Sequence, residues 1–229
     1  MAVTDSAPTV VFDLDGTLVD TAPDLVDTLN IILAREGLPP VPFETARTMI
    51  GGGARTLIER GLQADGRSGV SQEVDRLYKD FVSHYADHLA DRSRPFPGVM
   101  AAIEQLAARG CRIAICTNKL EWLSVKLVEA LGISGHFAAI CGQDTFGVSK
   151  PDPKILLQTI QKAGGHASRA VMVGDSISDI EVARNARIPV IAVDFGYTET
   201  PVSAFGPDVV IGDYAKLPAA VGRLFGLPA

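Results

Sequence analysis

The chain has 229 residues, with 21 Lys and Arg against 27 Asp and Glu, which gives a formal net charge of −6. This length, together with a hydrophobic fraction of 47%, is typical of a globular protein with its own core. The acidic balance argues against broad binding to nucleic acid or to an anionic membrane. No apolar run reaches the roughly 20 residues that a membrane span needs. From the charge and the missing apolar run together, we expect neither a nucleic-acid nor a membrane partner.

Two features bear on the compartment. No Lys or Arg precedes Arg35, so the basic start of a secretory signal peptide is missing. The three cysteines are odd in number and form no Cys-x-x-Cys pair, which indicates reduced, partly buried thiols. We therefore expect a cytoplasmic protein. We also expect a monomer or a homodimer.

The chain opens with a short β-branched segment, Thr9–Phe12, which ends at Asp13 and is predicted to be a buried strand. Residues 20–95 follow without a clear strand. Their predicted helices cover residues 22–34, 55–61 and 72–90. We expect residues 20–95 to form an all-helical cap domain inserted into a core domain made of residues 1–19 and 96–229.

After the predicted cap, short apolar segments alternate with segments of helical periodicity. The predicted strands are Arg112–Cys116 and residues 138–141, 170–173, 189–193 and, more weakly, 208–211. Strands that alternate with helices imply βαβ crossovers, so the predicted fold class is α/β with a parallel sheet.

Polar side chains follow several predicted strands directly. Asp13 and Asp15 come after the first strand, with Gly16 permitting a sharp turn. Other residues of this kind follow later strands or open helices: Thr117, Asn118, Lys150 and Asp175. Taken singly, each is more often a turn, cap or surface residue. Because ligands bind beyond the carboxyl ends of strands in an open parallel sheet, together they predict one polar site at one sheet edge.

The order of these motifs resembles the haloacid dehalogenase superfamily of phosphotransferases. The pattern is D-x-D-G-T at residues 13–17, a strand ending at Thr117, Lys-Pro at Lys150, and G-D-x-x-x-D at residues 174–179. The resemblance implies a Rossmann-like parallel-sheet core with a helical cap. It also implies Mg²⁺-dependent phosphoryl transfer from a small phosphorylated metabolite.

The resemblance also implies roles for individual residues. Asp13 is the nucleophile that forms an aspartyl-phosphate, and Asp15 is the general acid and then the general base. The hydroxyl of Thr117, the backbone amide of Asn118 and the ammonium of Lys150 hold the transferring phosphoryl group. An acidic residue at position 15 favours phosphoryl chemistry over dehalogenation.

The metal ligands implied in this way are the carboxylates of Asp13 and Asp175 and the backbone carbonyl of Asp15. Asp179 supports the metal indirectly or through water. The physical chemistry agrees, because crowded carboxylates raise one another's pKa and a hard, oxygen-seeking cation such as Mg²⁺ relieves that repulsion.

Longer stretches, at residues 11–23 and 50–62 among others, are similar to the phosphoglycolate phosphatase-like subgroup. This makes 2-phosphoglycolate the leading expected substrate. The expected substrate-binding residues are Asn118, Arg55, Gly52, Gly53 and Lys119. The loop of Gly52 and Gly53 would approach the core, and Arg55 would clamp a carboxylate or hydroxyl. Gln143 stands where this subgroup often has Gly, which leaves substrate-side detail open.

Other functions stay open at this point. A phosphatase for another small metabolite, such as a nucleotide, pyrophosphate or a sugar-acid phosphate, fits the same motifs, because fold does not fix substrate. A sugar phosphomutase shares the nucleophile and the general acid. A phosphonate hydrolase would need a cap lysine near the site, and Lys79, the only lysine between residues 20 and 95, is distant along the chain. A non-enzymatic binding protein would have no need of Asp13.

Overall fold

The computed structural model describes residues 7–67 and 69–227. Its main feature is a six-stranded parallel sheet with β1 near the centre, between β4 and β6. The sheet strands are β1 (Thr9–Phe12), β4 (Arg112–Cys116), β5 (Ala139–Cys141), β6 (Ala170–Gly174), β7 (Val190–Val193) and β8 (Val209–Ile211). Their order across the sheet is β5-β4-β1-β6-β7-β8. The predicted α/β fold class with a Rossmann-like parallel sheet is confirmed.

The sheet is covered by helices on both faces, which explains why its strands are apolar throughout. All four residues of β1 are buried. Val10 and Phe12 belong to one hydrophobic cluster, whereas Val11 belongs to a second cluster that lies on the other face. Successive side chains of a strand point to opposite faces, so an unbroken apolar run is what a doubly covered strand requires.

The helices divide into a group inserted after β1 and a group that alternates with the strands. The inserted helices are α1 (Ala22–Arg35), α2 (Phe43–Thr48), α3 (Gly53–Ala64) and α4 (Ser71–His88). The others are α5 (Val99–Ala108), α6 (Glu121–Ala130), α7 (Pro153–Lys162), α8 (Ile177–Ala186) and α9 (Leu217–Phe225). Short 3-10 turns occur at Ser134–His136, Ala167–Arg169, Val202–Phe205 and Tyr214–Lys216.

The two chain segments that lead into and out of the inserted helices pair with each other. The antiparallel strands β2 (Val19–Asp20) and β3 (Arg94–Pro95) form a separate two-stranded sheet. The expectation of no strand in residues 20–95 is therefore wrong at both ends of that segment. Strands of two residues carry too little periodicity to be recognised in a sequence. The pair lies at the predicted domain boundaries, but the division into two domains stays a prediction.

A buried carboxylate fixes the same junction. Asp24, in the first turn of α1, accepts hydrogen bonds from the backbone N–H of Arg92, the backbone N–H of Ser93 (2.8 Å) and the Ser93 hydroxyl (2.6 Å). The hydroxyl of Tyr197 accepts from the N–H groups of Thr21 and Ala22 at 2.8 and 3.0 Å. Both contacts anchor the start of the inserted helices.

Two expectations about the chain as a whole can be compared with the fold. Cys111, Cys116 and Cys141 are free and buried, as predicted. Among residues 7–67 and 69–227, no helix is both long and apolar enough to cross a membrane.

Candidate active site

Asp13 and Asp15 lie directly beyond the carboxyl end of β1, where the chain makes a tight turn. Gly16 has φ +84°, in the left-handed region that glycine adopts without penalty. A Cβ atom there would lie 2.7 Å from Oδ2 of Asp175. The turn therefore needs glycine both for its backbone angle and for the close approach of the Asp175 carboxylate.

Three carboxylates converge at this edge of the sheet. One oxygen each of Asp13, Asp175 and Asp179 lies within 4.8 Å of the others, and all three residues are buried. The ammonium of Lys150 lies among them, with Nζ 2.7 Å from Asp13 Oδ1 and 2.6 Å from Asp179 Oδ1. The sequence motifs, up to 166 positions apart in numbering, meet because β1 and β6 are neighbours in the sheet.

Burial and crowding shift the pKa values in this cluster. Burial and repulsion from Asp179 raise the pKa of Asp13 to about 8, although Lys150 opposes the shift. Burial and the same neighbour raise the pKa of Asp175 to about 6. Burial disfavours the charge on Lys150, but attraction to Asp13 and Asp179 outweighs it and raises the lysine pKa. The site thus holds more negative charge than one lysine neutralises.

Neighbouring groups hold two of the carboxylates in place. Asp175 accepts a hydrogen bond from the Thr17 hydroxyl at 2.7 Å and one from the Tyr197 backbone N–H at 2.9 Å. Asp179 Oδ2 accepts from the N–H and the hydroxyl of Ser176 at 3.0 and 2.7 Å, which also caps the start of α8. With Lys150 on its other oxygen, Asp179 has a hydrogen-bond partner on both oxygens.

Asp13 differs from these neighbours. Among the described residues, its Oδ1 atom is buried without a partner of hydrogen-bonding geometry, because the nearby Lys150 ammonium, although only 2.7 Å away, is poorly aligned. The Lys150 ammonium compensates the charge of this oxygen, and a partner of better hydrogen-bonding geometry would stabilise it further.

Asp15 lies at the mouth of the site and is held by two side chains. The Nζ atom of Lys119 donates to both of its carboxylate oxygens, at 2.8 and 2.9 Å. The hydroxyl of Thr21 donates to Oδ1 at 2.7 Å. Lys119 is itself buried and lies over the ring of Tyr85, with Nζ 4.7 Å from the ring centroid.

The loop after β4 joins the sheet to the inserted helices. The side-chain amide of Asn118 donates to the Gly51 carbonyl at 3.2 Å and accepts from the Lys150 backbone N–H at 2.9 Å. Gly53, at the start of α3, has φ +84°, and a Cβ atom there would lie 3.0 Å from the Asn118 carbonyl oxygen. The glycine loop thus reaches the core as its sequence indicates. Thr117 is buried beside it and accepts from the Lys119 backbone N–H at 3.2 Å.

A cleft opens between this edge of the sheet and the inserted helices. Its core side is polar and is formed by Asp13, Asp15, Thr117, Asn118 and Lys119. Its opposite side is mostly apolar and includes Leu25, Leu57, Phe81, Val82 and Tyr85. A polar floor under an apolar roof suits a small substrate with one strongly charged end.

Two of the predicted substrate-binding residues lie outside this cleft. The Arg55 guanidinium pairs with Asp75 and lies over the ring of Tyr78, and its side chain is 48% exposed. Gly52 lines a separate surface groove. The structure thus brings together every predicted core residue and Gly53, but not Arg55 and Gly52.

Sequence reasoning also missed several residues that line the site or hold its carboxylates. They are Thr17, Thr21, Tyr85, Ser176 and Tyr197. Thr17 and Thr21 could have been identified, because residues 11–23 are among the stretches that are similar to the subgroup. Tyr85 and Tyr197 carry no local signal, because only the packing of distant segments brings them to the site.

Comparison with known proteins now identifies the family. A family model described as haloacid dehalogenase-like hydrolase matches residues 10–193. The chain belongs to the haloacid dehalogenase-like hydrolases. The resemblance predicted from the motifs is confirmed, and so is its enzyme class, a phosphatase, by the relatives given next.

Two curated relatives of this hydrolase are both named phosphoglycolate phosphatase. The chain is 53% identical over 212 residues to a phosphoglycolate phosphatase of Mesorhizobium japonicum, and the match covers 93% of each chain. It is 46% identical over 215 residues to a phosphoglycolate phosphatase of Agrobacterium fabrum, covering 94% of this chain and 92% of the relative. A solved structure, of a predicted phosphoglycolate phosphatase from Haemophilus somnus, has a TM-score of 0.86 and 29% identity, covering 96% of this chain and 99% of that one.

Proposed function

We propose that this phosphatase hydrolyses 2-phosphoglycolate to glycolate and phosphate, with a divalent cation, Mg²⁺, as its cofactor. The observation that carries the proposal is the buried cluster of Asp13, Asp175 and Asp179 around Lys150, whose member Asp13 also lines a small cleft. The curated relatives quoted above share the name phosphoglycolate phosphatase, which supports this substrate over others. We further propose that the enzyme acts in the cytoplasm, where its three free cysteines would stay reduced.

The residues present fit a hard divalent cation. Among the described residues, Asp13 Oδ1 is buried without a well-aligned hydrogen-bond donor, and the pKa values of Asp13 and Asp175 are raised, as expected of a carboxylate cluster with more negative charge than Lys150 neutralises. Oxygen donors of this kind suit Mg²⁺. The carboxylates of Asp13 and Asp175 and the backbone carbonyl of Asp15 would hold it. When bound, Mg²⁺ supplies positive charge that keeps Asp13 ionised and neutralises phosphoryl oxygens.

Asp179 would support the metal-binding groups of Asp13, Asp15 and Asp175 without binding the cation itself. Both of its oxygens already accept hydrogen bonds, from Lys150 on one side and from Ser176 on the other. Its contribution is then to orient Lys150 and to add negative charge next to Asp175. This arrangement supports the indirect role expected from the sequence.

In the first half-reaction, an Asp13 carboxylate oxygen attacks phosphorus in line with the ester oxygen. The new oxygen–phosphorus bond forms as the bond to the ester oxygen breaks, and Asp15 donates its proton to the departing alkoxide, which leaves as glycolate. The hydroxyl of Thr117, the backbone amide of Asn118 and the ammonium of Lys150 bind the phosphoryl oxygens.

In the second half-reaction, Asp15 removes a proton from water, and the water oxygen attacks phosphorus of the aspartyl-phosphate. The bond to Asp13 breaks, which regenerates its carboxylate and releases phosphate. Lys119 and Thr21 orient Asp15 for both steps through their hydrogen bonds to its oxygens. The apolar side of the cleft keeps bulk water away from the leaving group.

The experiment that tests the proposal is phosphate release from a panel of metabolite phosphates, with and without Mg²⁺. The panel contains 2-phosphoglycolate, nucleoside monophosphates, pyrophosphate, hexose phosphates and 4-nitrophenyl phosphate. We expect Mg²⁺-dependent release with the highest kcat/KM for 2-phosphoglycolate. A higher value for another metabolite would refute the substrate. Slow hydrolysis of all esters, together with phosphoryl transfer between sugar hydroxyls, would point to a phosphomutase.

The Asp13→Asn variant tests the nucleophile in the same assay. The amide is a poor nucleophile and has nearly the same size, so we expect a folded protein without turnover. Circular dichroism and a thermal melt serve as the control for folding. Undiminished phosphate release would exclude Asp13 as the nucleophile.

A further inference from the structure

Tyr85 presents an unused hydrogen-bond donor at the cleft. It projects from α4, lies 99% buried and lines the cleft opposite Asp15. Among the described residues, its hydroxyl has no hydrogen-bond partner. Buried hydroxyls are nearly always paired, since an unpaired one loses its bonds to water without compensation. Burial also raises the pKa of Tyr85 well above its usual value, so the group stays a protonated donor at neutral pH.

Lys119 places a cationic donor beside it. An ammonium group has three N–H donors, and the two Asp15 oxygens take two of them. The Lys119 Nζ atom lies 4.7 Å from the centroid of the Tyr85 ring, and both residues line the same cleft. One residue with a neutral donor and one with a cationic donor, from two different elements, therefore line the same cleft.

We propose that the Tyr85 hydroxyl and the Lys119 ammonium together bind the carboxylate of the substrate, which makes Tyr85 a specificity-determining residue. The inference rests on the proposed function and names the groups that select its substrate. A carboxylate offers two oxygens and a negative charge, which match one hydroxyl donor and one ammonium donor. The rest of this wall is mostly apolar, with Leu57, Phe81 and Leu123, so several hydroxyls of a sugar would be left unpaired there.

In this proposal Lys119, and not Arg55, binds the carboxylate of the substrate. Both cations pair with a carboxylate, but the Arg55 side chain is half exposed and lies outside the cleft. Lys119 is 5% exposed and lies on the cleft wall next to the acid Asp15. A buried cation close to the leaving group distinguishes an anionic substrate from a neutral one much better than an exposed cation does.

The test is the Tyr85→Phe variant, which deletes one oxygen atom and keeps the ring under Lys119. Its kcat/KM is measured on 2-phosphoglycolate and on ethyl phosphate, which has the same carbon chain without the carboxylate. We expect a loss of about tenfold or more on 2-phosphoglycolate and a change within about threefold on ethyl phosphate. Because the unpaired hydroxyl is removed, the melting temperature of the ligand-free variant should rise by about 2–4 °C.

The matched control is Tyr214→Phe, the same deletion at a buried tyrosine outside the cleft. The Tyr214 hydroxyl donates to the Thr17 carbonyl at 2.6 Å. Its loss should lower the melting temperature and leave the ratio of the two kcat/KM values as in the wild type. A structural role for Tyr85 would give this same result, so the pair of variants separates the two explanations.

Each outcome has one meaning. A selective loss on 2-phosphoglycolate with a raised melting temperature supports the carboxylate site. If the wild type prefers 2-phosphoglycolate and Tyr85→Phe keeps that preference, the inference is overturned and the proposed function stands. A wild type without preference for 2-phosphoglycolate over ethyl phosphate overturns the proposed substrate, and the inference with it.

Discussion

Replacing Lys150 with Met removes an ammonium group from the carboxylate cluster while keeping most of the side-chain volume. The Lys150 side chain is 1% exposed, with Nζ 2.7 Å from Asp13 Oδ1 and 2.6 Å from Asp179 Oδ1. At an effective dielectric constant of about 20, Coulomb's law gives roughly 6 kcal/mol of attraction for each contact. Desolvation of the ammonium offsets much of this, so we expect the free energy of unfolding to fall by about 3–5 kcal/mol at pH 8.

The loss in free energy of unfolding caused by Lys150→Met should be larger at high pH than at low pH. The pKa of Asp13 is about 8 and that of Asp175 is about 6, both above the values of an unfolded chain. Between roughly pH 4 and pH 8 the folded protein therefore holds protons that the unfolded chain has released, and stability falls as pH rises. Without Lys150 the folded carboxyl pKa values rise further. The variant should lose less stability at pH 5, where Asp13 and Asp175 are protonated, than at pH 8.

Urea unfolding at pH 5 and pH 8, with a chelator present to exclude divalent cations, measures both effects. The control is Lys162→Met, which removes an exposed lysine 3.5 Å from Glu121 and should change stability by less than about 1 kcal/mol. An equal loss at the two pH values for Lys150→Met would refute the reasoning. So would a loss no larger than that of the control.

Three further predictions concern the metal, the junction and the turn. Mg²⁺ should raise the melting temperature more at pH 8 than at pH 5.5, because Asp13 and Asp175 must lose their protons to bind it; equal shifts in the two melts would contradict a site on these residues. Asp24→Ala leaves three donors at Arg92 and Ser93 without their acceptor and should cost about 3 kcal/mol in urea unfolding, and a loss below 1 kcal/mol would count against this buried contact. Gly16→Ala forces a side chain into the left-handed region, 2.7 Å from an Asp175 oxygen. It should cost at least about 1–2 kcal/mol and lower phosphate release, and wild-type values in both assays would be incompatible with the turn described.

The strands of the parallel sheet could be read from the sequence with little error. The predicted bounds of Thr9–Phe12 and Arg112–Cys116 agree with the structure. The remaining strands of the sheet begin or end within one residue of prediction. Strands buried on both faces must be apolar at every position, so they stand out against the helices that flank them.

The inserted segment was harder to predict. The six-residue helix Phe43–Thr48 has one buried residue, Ala46, and so carries no apolar stripe that could be recognised. The paired strands Val19–Asp20 and Arg94–Pro95 are two residues long and depend on a partner 74 or more positions away in the chain. Segments this short are stabilised by tertiary contacts, not by their own pattern.

The polar groups of the core could be identified from the sequence alone, which shows that Asp13, Thr117 and Asp175 each follow a strand and should meet at one edge of a parallel sheet. A strand's end is a local property, and the sheet brings such ends together. The surroundings of those groups, in contrast, depend on the tertiary fold. It pairs Lys119 with Asp15, turns Arg55 away to Asp75 and sets Tyr85 over the cleft. Long side chains from separate elements choose their partners by packing and charge in three dimensions, and no local pattern encodes that choice.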